Sequence, residues 1–375
     1  MRIALEPREG GGTWTVVAAP LAALAASLVV GGVLLGLLGH SPFEALYVYF
    51  VSPLTEGYTR AEILVKLVPL ALIGAGLAVS FRANVWNIGA AGQYTMGALI
   101  AGALALVAPQ GATGLHWLIL YLIVGVGGGM AWAAVPAFLR TRFGTNEILV
   151  SLMLTYVAAL ALDWAVRGPL RDPAAFGFPQ SRDFPDGFLM PVLMQGTRLH
   201  AGVLLAVAVA VGLALMMAYT RRGFSLRVMG TEPRAGRFAG FSENGTVWFA
   251  LLLSGGLAGL AGAVEVSATV SQLQPDISAS YGFTAIIVAF LGRLNPLGAL
   301  FGALVLALSD IGGENAQIMM QLPRNATALF QGMLLLFLLA ADTLTRYRVR
   351  LIRPGEAGAP AAAPPRIAAS AGEGA

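Results

Sequence analysis

The 375-residue chain contains no cysteine, one lysine and three histidines. The absence of cysteine excludes disulfides, thiol nucleophiles, iron–sulfur clusters and zinc–thiolate sites together. His40, His116 and His200 are too scattered to build a metal cluster, so no bound metal is expected. The single lysine, Lys66, lies in Leu64-Val65-Lys66-Leu67-Val68-Pro69. That setting lacks the G-x-x-x-x-G-K-[ST] frame with which a phosphate loop grips ATP. If the protein uses ATP, another polypeptide must bind and hydrolyse it. Charged residues make up 11% of the chain, against roughly 25% in soluble domains. No catalytic constellation is present either: neither G-x-S-x-G nor H-E-x-x-H occurs. No enzymatic activity of the chain itself is expected.

What the chain has is apolar length. Hydrophobic residues are 57% of it, glycines number 47, and the mean hydropathy is +0.75. Apolar runs fall at 14–38, 63–81, 85–107, 118–138, 148–166, 201–219 and 247–266, most of them about the 20 residues a helix needs to cross a bilayer. The first is too long for the apolar core of a cleaved signal peptide and is read as a retained helix. Residues 283–291 and 297–309 are shorter, and 326–341 is a marginal final span. Short, glycine- or proline-interrupted segments are the pattern of broken or re-entrant helices lining a pathway. The expected fold is all-α, a polytopic membrane helix bundle of about ten spans, or eight if the short pair forms a re-entrant hairpin.

Arginine placement sets the orientation. With the N-terminus inside, 16 of the 23 basic residues fall in cytoplasmic segments, as the positive-inside rule requires. Arg60, Lys66, Arg167, Arg171, Arg182, Arg198 and Arg324 fall outside. Both termini are therefore expected in the cytoplasm. The layout is a tail at 1–13, a transmembrane domain at 14–345 and a disordered cytoplasmic tail at 346–375. An external loop spans 167–200 and a cytoplasmic coupling loop spans 220–246. On this assignment no span carries an ionisable residue deep in its core, which argues against a stand-alone secondary transporter or channel. The net charge of +4 orients the chain and implies no nucleic-acid partner.

The cytoplasmic loop holds a compact helical signal. Thr231 can cap a helix, Pro233 suits its first turn and Gly240 can end it. A two-turn helix over 232–239 would present Arg234, Arg237 and Phe238 to a cytoplasmic partner, with Thr231, Glu232 and Pro233 at its start. A plain basic loop obeying the charge rule is the alternative.

Polar residues at membrane depth are functional candidates by default. The densest set runs from Arg82 to Gln93, with Asn84 and Asn87 three residues apart on one helical face. These amides either cap and join helices or line a path. Asn146 or Thr145 is expected to cap the helix beginning near Glu147. A sharp break falls at Gly292-Arg293-Leu294-Asn295-Pro296-Leu297-Gly298.

Together, 81–93, Gly144-Thr145-Asn146-Glu147-Ile148, the 227–240 loop and 292–298 resemble the membrane permease subunits of bacterial ABC importers. The likeness is to the branched-chain amino acid and simple-sugar type, nearest the nucleoside branch, and runs over residues 60 to 340. The resemblance implies a location in a bacterial inner membrane, a second homologous permease, separate ATPase subunits carrying ATP and magnesium, and a periplasmic or lipoprotein substrate-binding protein. It implies that 230–240 is the coupling helix. A nucleoside would suit the chemistry: Asn84, Asn87, Gln93 and Asn295 could pair with its polar edges, and Trp86 or Tyr94 could stack on its base. A simple sugar is the alternative substrate.

Overall fold

A computed structural model describes residues 2–7, 22, 25–33, 35–36, 39, 41–109, 111–275, 277, 281–322 and 325–352. The helices are α1 (Pro42–Phe50), α2 (Ser52–Thr55), α3 (Gly57–Arg82), α4 (Ala90–Val107), α5 (Leu115–Phe143) and α6 (Glu147–Arg167). They continue as α7 (Gly202–Tyr219), α8 (Arg221–Thr231), α9 (Pro233–Phe238), α10 (Glu243–Glu265), α11 (Tyr281–Leu291), α12 (Pro296–Met320) and α13 (Asn325–Arg346). Seven of these are long and apolar enough to cross a membrane: α3 to α7, α10 with its extension to Val270, and α12. The expectation of ten spans thus reduces to seven among the described residues. The 14–38 run lies largely outside them, although residues 25–33 are helical.

One strand pair departs from an all-helical chain. Strand β1 (Arg2–Pro7) pairs antiparallel with β2 (Tyr347–Ile352), so the two terminal segments lie side by side. The first residues of the expected tail at 346–375 are therefore structured, and 353–375 lies outside the described residues.

Local chemistry sets the helix ends. Gly144 takes the left-handed conformation that closes α5, and the Asn146 side chain then accepts from the Ile148 N–H at 2.9 Å to start α6. Ser242 caps α10 by accepting from Gly245 N–H at 3.1 Å. Asn295 caps α12 by accepting from Leu297 N–H at 3.0 Å, with Pro296 in the first helical position. The expected span beginning at Val85 instead begins at Ala90. The chain leaves α3 at Arg82, Asn84 turns left-handed at φ 56°, and residues 85–89 run non-helically.

The short segment 297–309 is corrected more strongly. It is the first half of the 25-residue α12, which continues through Asp310, Gly312, Gly313 and Glu314. Apolarity and helix propensity both fall there, at Asp310, Gly312, Gly313 and Asn315, and close packing of Gly312 against the Tyr49 carbonyl of α1 holds the second half in place. By contrast α11 is only 11 residues long, as expected of a broken helix. It follows a π-helical turn at Val266–Val270, which ends where Ser271 adopts φ 60°.

The core is a stack of helices brought into backbone contact by small residues. α3 and α10 are buried along most of their length, whereas α6 and α7 expose most of theirs. At the α5–α10 crossing a methyl group on Gly129 would strike the Gly255 carbonyl, and one on Gly259 would strike the Gly125 carbonyl. Gly97 of α4 meets Gly259 at the same crossing. This is small-residue packing, the means by which helices associate where lipid offers no hydrophobic drive. Gly259→Leu should therefore cost about 1–3 kcal/mol by overpacking. The check is the thermal midpoint of the detergent-solubilised protein, which should fall while Leu160→Ala on the exposed face of α6 leaves it nearly unchanged.

Candidate translocation site and coupling elements

The break between α3 and α4 is held by its own polar groups. Ser80 Oγ donates to the Val85 carbonyl at 2.7 Å, and Val85 N–H donates back to the Ser80 carbonyl at 3.1 Å. Asn87, fully buried, donates from Nδ2 to Gln93 Oε1 at 2.7 Å and to Ser254 Oγ at 2.8 Å. Its Oδ1 accepts from Gln93 Nε2 at 2.9 Å and from Gly89 N–H at 3.2 Å. Asn87, Gln93 and Ser254 thus form a closed network joining the break to α4 and α10. Buried amides satisfied in this way fix a unique packing. Ser254 was not singled out from the sequence, since a lone serine in an apolar run carries no signal.

The other path candidates lie elsewhere. Asn84 is exposed and accepts from the Trp86 indole N–H at 3.0 Å. The Trp86 ring packs at 4.9 Å from Phe81 and 6.2 Å from Phe290. Tyr94 is buried, with its ring 6.1 Å from that of Tyr281. Asn295 sits apart, exposed at the α11–α12 turn, where its side chain serves as the α12 cap.

The same end of the bundle carries α8 and α9. α9 starts at Pro233 and is followed by Gly240 at φ 81°, close to the helix expected over 232–239. Thr231 does not cap it: it ends α8 and donates to the Arg227 carbonyl at 2.8 Å. Glu232 occupies the N-cap position instead. Arg237 pairs with Glu243 at 2.9 Å, Arg234 is exposed, and Phe238 is 97% exposed, an unusual position for an aromatic ring without a partner surface. Gly230 of α8 lies directly against the Arg82 carbonyl, where no side chain would fit. A small cleft lined by Asn84, Arg140, Met229, Pro233 and Glu243 separates α9 from the break. Glu147 ties the assembly together, pairing with Arg140 and accepting the Trp86 backbone N–H at 3.3 Å. The first-turn carboxylate is thus a tether as well as a complement to the helix dipole.

At the opposite end, residues 167–200 fold down onto the bundle. Phe184 N–H donates to the Ser271 carbonyl at 2.8 Å, and Ser267 Oγ donates to the Phe188 carbonyl at 2.7 Å. Arg198 forms a two-pronged pair with the buried Glu62 of α3, one bond being Nε to Oε1 at 3.0 Å. His200 is fully buried, and its Nδ1 accepts from Gly202 N–H at 3.2 Å. Burial pushes its pKa down from the usual 6.5 to about 4.

Lys66 lies within α3, and its Nζ donates to Glu314 Oε1 of α12 at 2.5 Å. Asp310, one turn earlier in α12, accepts from Gln331 Nε2 of α13 at 2.5 Å. Ionisable residues therefore do occur inside the spans. The signal was present as two four-residue spacings, Glu62 to Lys66 and Asp310 to Glu314, each placing both charges on one helical face.

These observations define a multi-pass helical membrane protein with interrupted helices and a short exposed helix at one end. A family model described as branched-chain amino acid transport system / permease component matches residues 59–339. The chain belongs to this family of ABC transporter permease subunits. It is 34% identical over 359 residues to a glucose ABC transporter permease protein of Haloferax volcanii, covering 93% of this chain and 94% of that one. It is 27% identical to a guanosine ABC transporter permease protein of Bacillus subtilis, over 89% of this chain and 94% of that one. A nucleoside ABC transporter permease protein of Lactococcus lactis is 26% identical, over 79% of this chain and 83% of that one.

Two outcomes follow. Asn87→Leu should strand both ends of the Gln93 amide, while Ser254 keeps its bond to the Ala250 carbonyl, and should cost about 1–3 kcal/mol for each group left unsatisfied; thermal unfolding in detergent should show a clearly lower midpoint than for Ser80→Ala. Separately, the unfolded chain takes up a proton between pH 6.5 and about 4 that folded His200 refuses. Its contribution to stability is therefore present above pH 6.5 and is lost as pH falls toward 4. His200→Gln should flatten the fall in thermal midpoint over that window, and an unchanged slope would contradict the assignment.

Proposed function

We propose that this permease carries a nucleoside inward across a bacterial inner membrane, driven by ATP hydrolysis on separate subunits. The observation that carries the coupling part is the pairing of an exposed short helix, α9, with a glycine contact between Gly230 and the Arg82 carbonyl. Arg234, Arg237 and Phe238 would meet the ATPase, with Thr231, Glu232 and Pro233 setting the angle of the helix. A push on α9 would pass through α8 to the break at 83–89 and to the Asn87–Gln93–Ser254 network. A second homologous permease would complete the path, and a periplasmic or lipoprotein binding protein would deliver substrate to the 167–200 end. ATP and magnesium would be held by the ATPase.

The nucleoside reading is supported by the guanosine and nucleoside permeases among the relatives. A simple sugar is the second reading, favoured by the 34% identity to a glucose permease. Uptake of labelled guanosine and glucose in a strain deleted for this gene separates them: loss of guanosine uptake is expected, and loss of glucose uptake alone would refute the nucleoside reading. For coupling, Arg234→Glu with Arg237→Glu should abolish transport and co-purification of the ATPase while leaving membrane insertion intact. Normal transport in the double variant would remove the role given to α9.

A further inference from the structure

The charges inside the spans are concentrated on one face. Lys66 is nine residues into α3, about 14 Å along its axis at 1.5 Å per residue. Asp310 is ten residues from the far end of α12, about 15 Å by the same measure. Lys66 and Glu314 bridge α3 to α12, and Asp310 reaches Gln331, which in turn accepts from the Thr284 hydroxyl of α11 at 3.5 Å. Behind them stands Glu265 at the end of α10, buried at 8% exposure. Its Oε1 accepts from the Thr269 hydroxyl at 3.0 Å, while its Oε2 has no hydrogen-bond partner among the described residues. Lys66 lies within electrostatic reach of both Glu265 and Asp310, and the Tyr281 hydroxyl shares the field of Glu265, Asp310 and Glu314.

This face cannot rest against acyl chains. The Glu314 side chain is 54% exposed and that of Lys66 is 21% exposed, and a charge facing the hydrocarbon centre costs about 3 kcal/mol even on the most lenient scale. Elsewhere the exposed middle turns are apolar, as at Leu160 of α6 and Leu204 of α7, and the exposed Asp163–Arg167 pair is confined to the last turn of α6. The α3–α12 face must therefore be covered by water or by a polar partner surface rather than by lipid, and half-buried Gln317, one turn beyond Glu314, extends it.

We propose that Lys66, Asp310 and Glu314, with Glu265 behind them, form a wall of the translocation path that binds the vicinal hydroxyls of a neutral sugar ring. A carboxylate can accept two adjacent hydroxyls together, and the lysine ammonium donates to a ring or hydroxyl oxygen. The surplus of carboxylates repels anions, and the central ammonium opposes a cation. The described residues hold no cluster suited to a metal ion. Glu265 Oε2, buried and without a partner among the described residues, adds negative charge behind the wall, and the Tyr281 ring would offer an apolar surface to the sugar's carbon face. The ribose of a nucleoside and a hexose share this diol chemistry. The inference rests on the permease reading and supplies the substrate-binding surface which that reading leaves unassigned.

The absence of native cysteine makes the test direct. Glu314→Cys and Gln317→Cys are each introduced into the assembled transporter, with Leu160→Cys as the lipid-facing control. A membrane-impermeant methanethiosulfonate is added from the side of the 167–200 loop, and modification of this chain is read by mass. The two path positions should react about tenfold faster than Leu160→Cys or more, because only a hydrated thiol ionises. Guanosine or glucose should slow the reaction several-fold, and 2′-deoxyguanosine, which lacks the vicinal diol, should slow it less than guanosine. Protection by guanosine identifies a ribose and protection by glucose a hexose; the latter keeps this wall while refuting the nucleoside reading. Reaction at both path positions no faster than at Leu160→Cys overturns the wall. Rapid reaction that neither solute slows, or that the deoxynucleoside slows equally, overturns the hydroxyl assignment.

Discussion

In hydrocarbon, every backbone or side-chain polar group must find its partner inside the protein, and the architecture of this permease follows from that constraint. Where the chain departs from helix at 83–89, the freed groups are taken up by Ser80 Oγ and by the Asn87 side chain. Where it turns at 292–295, Asn295 supplies the cap that starts α12. The interruptions are tolerated because they are enclosed, and they are enclosed because glycine at Gly97, Gly125, Gly129 and Gly259 lets α4, α5 and α10 meet backbone to backbone. Interrupted helices in a tightly packed bundle give a membrane protein local freedom without exposed backbone.

The two ends of the bundle are built differently. At one end α9 stands away from the membrane helices, while Gly230, Arg82, Arg140 and Glu147 form a continuous set of contacts leading to the break. At the other, residues 167–200 lie flat over the helix ends and are fastened to α3 through Arg198 and Glu62. Between them the α3–α12 face carries the charges. Force received at one end and solute received at the other would thus meet at the helices that flank α11.

Much of this was legible in the residues. Long apolar runs located α3, α5, α6, α7 and α10, because span length is fixed by the bilayer rather than by tertiary detail. Pro233 and Gly240 located α9, and Asn146 located the start of α6, because caps and breakers act locally. The extent of α12 was not legible. Its second half carries Asp310, Glu314, Asn315 and Gln317, and hydropathy ends a span where polarity begins although the helix continues. The partner of Lys66 was not legible either, because Glu314 lies 248 residues away along the chain. Whether Asn87 and Gln93 face a solute or each other could not be read from spacing, since the deciding partner, Ser254, comes from a distant helix.

The central claim is that this subunit gates a path and borrows its motive power. Net solute accumulation in proteoliposomes tests it most directly, comparing the purified chain alone with the chain assembled with its ATPase, partner permease and binding protein. The account predicts ATP-dependent accumulation only in the full assembly and none by the chain alone. Sustained uphill accumulation by the isolated chain would contradict it.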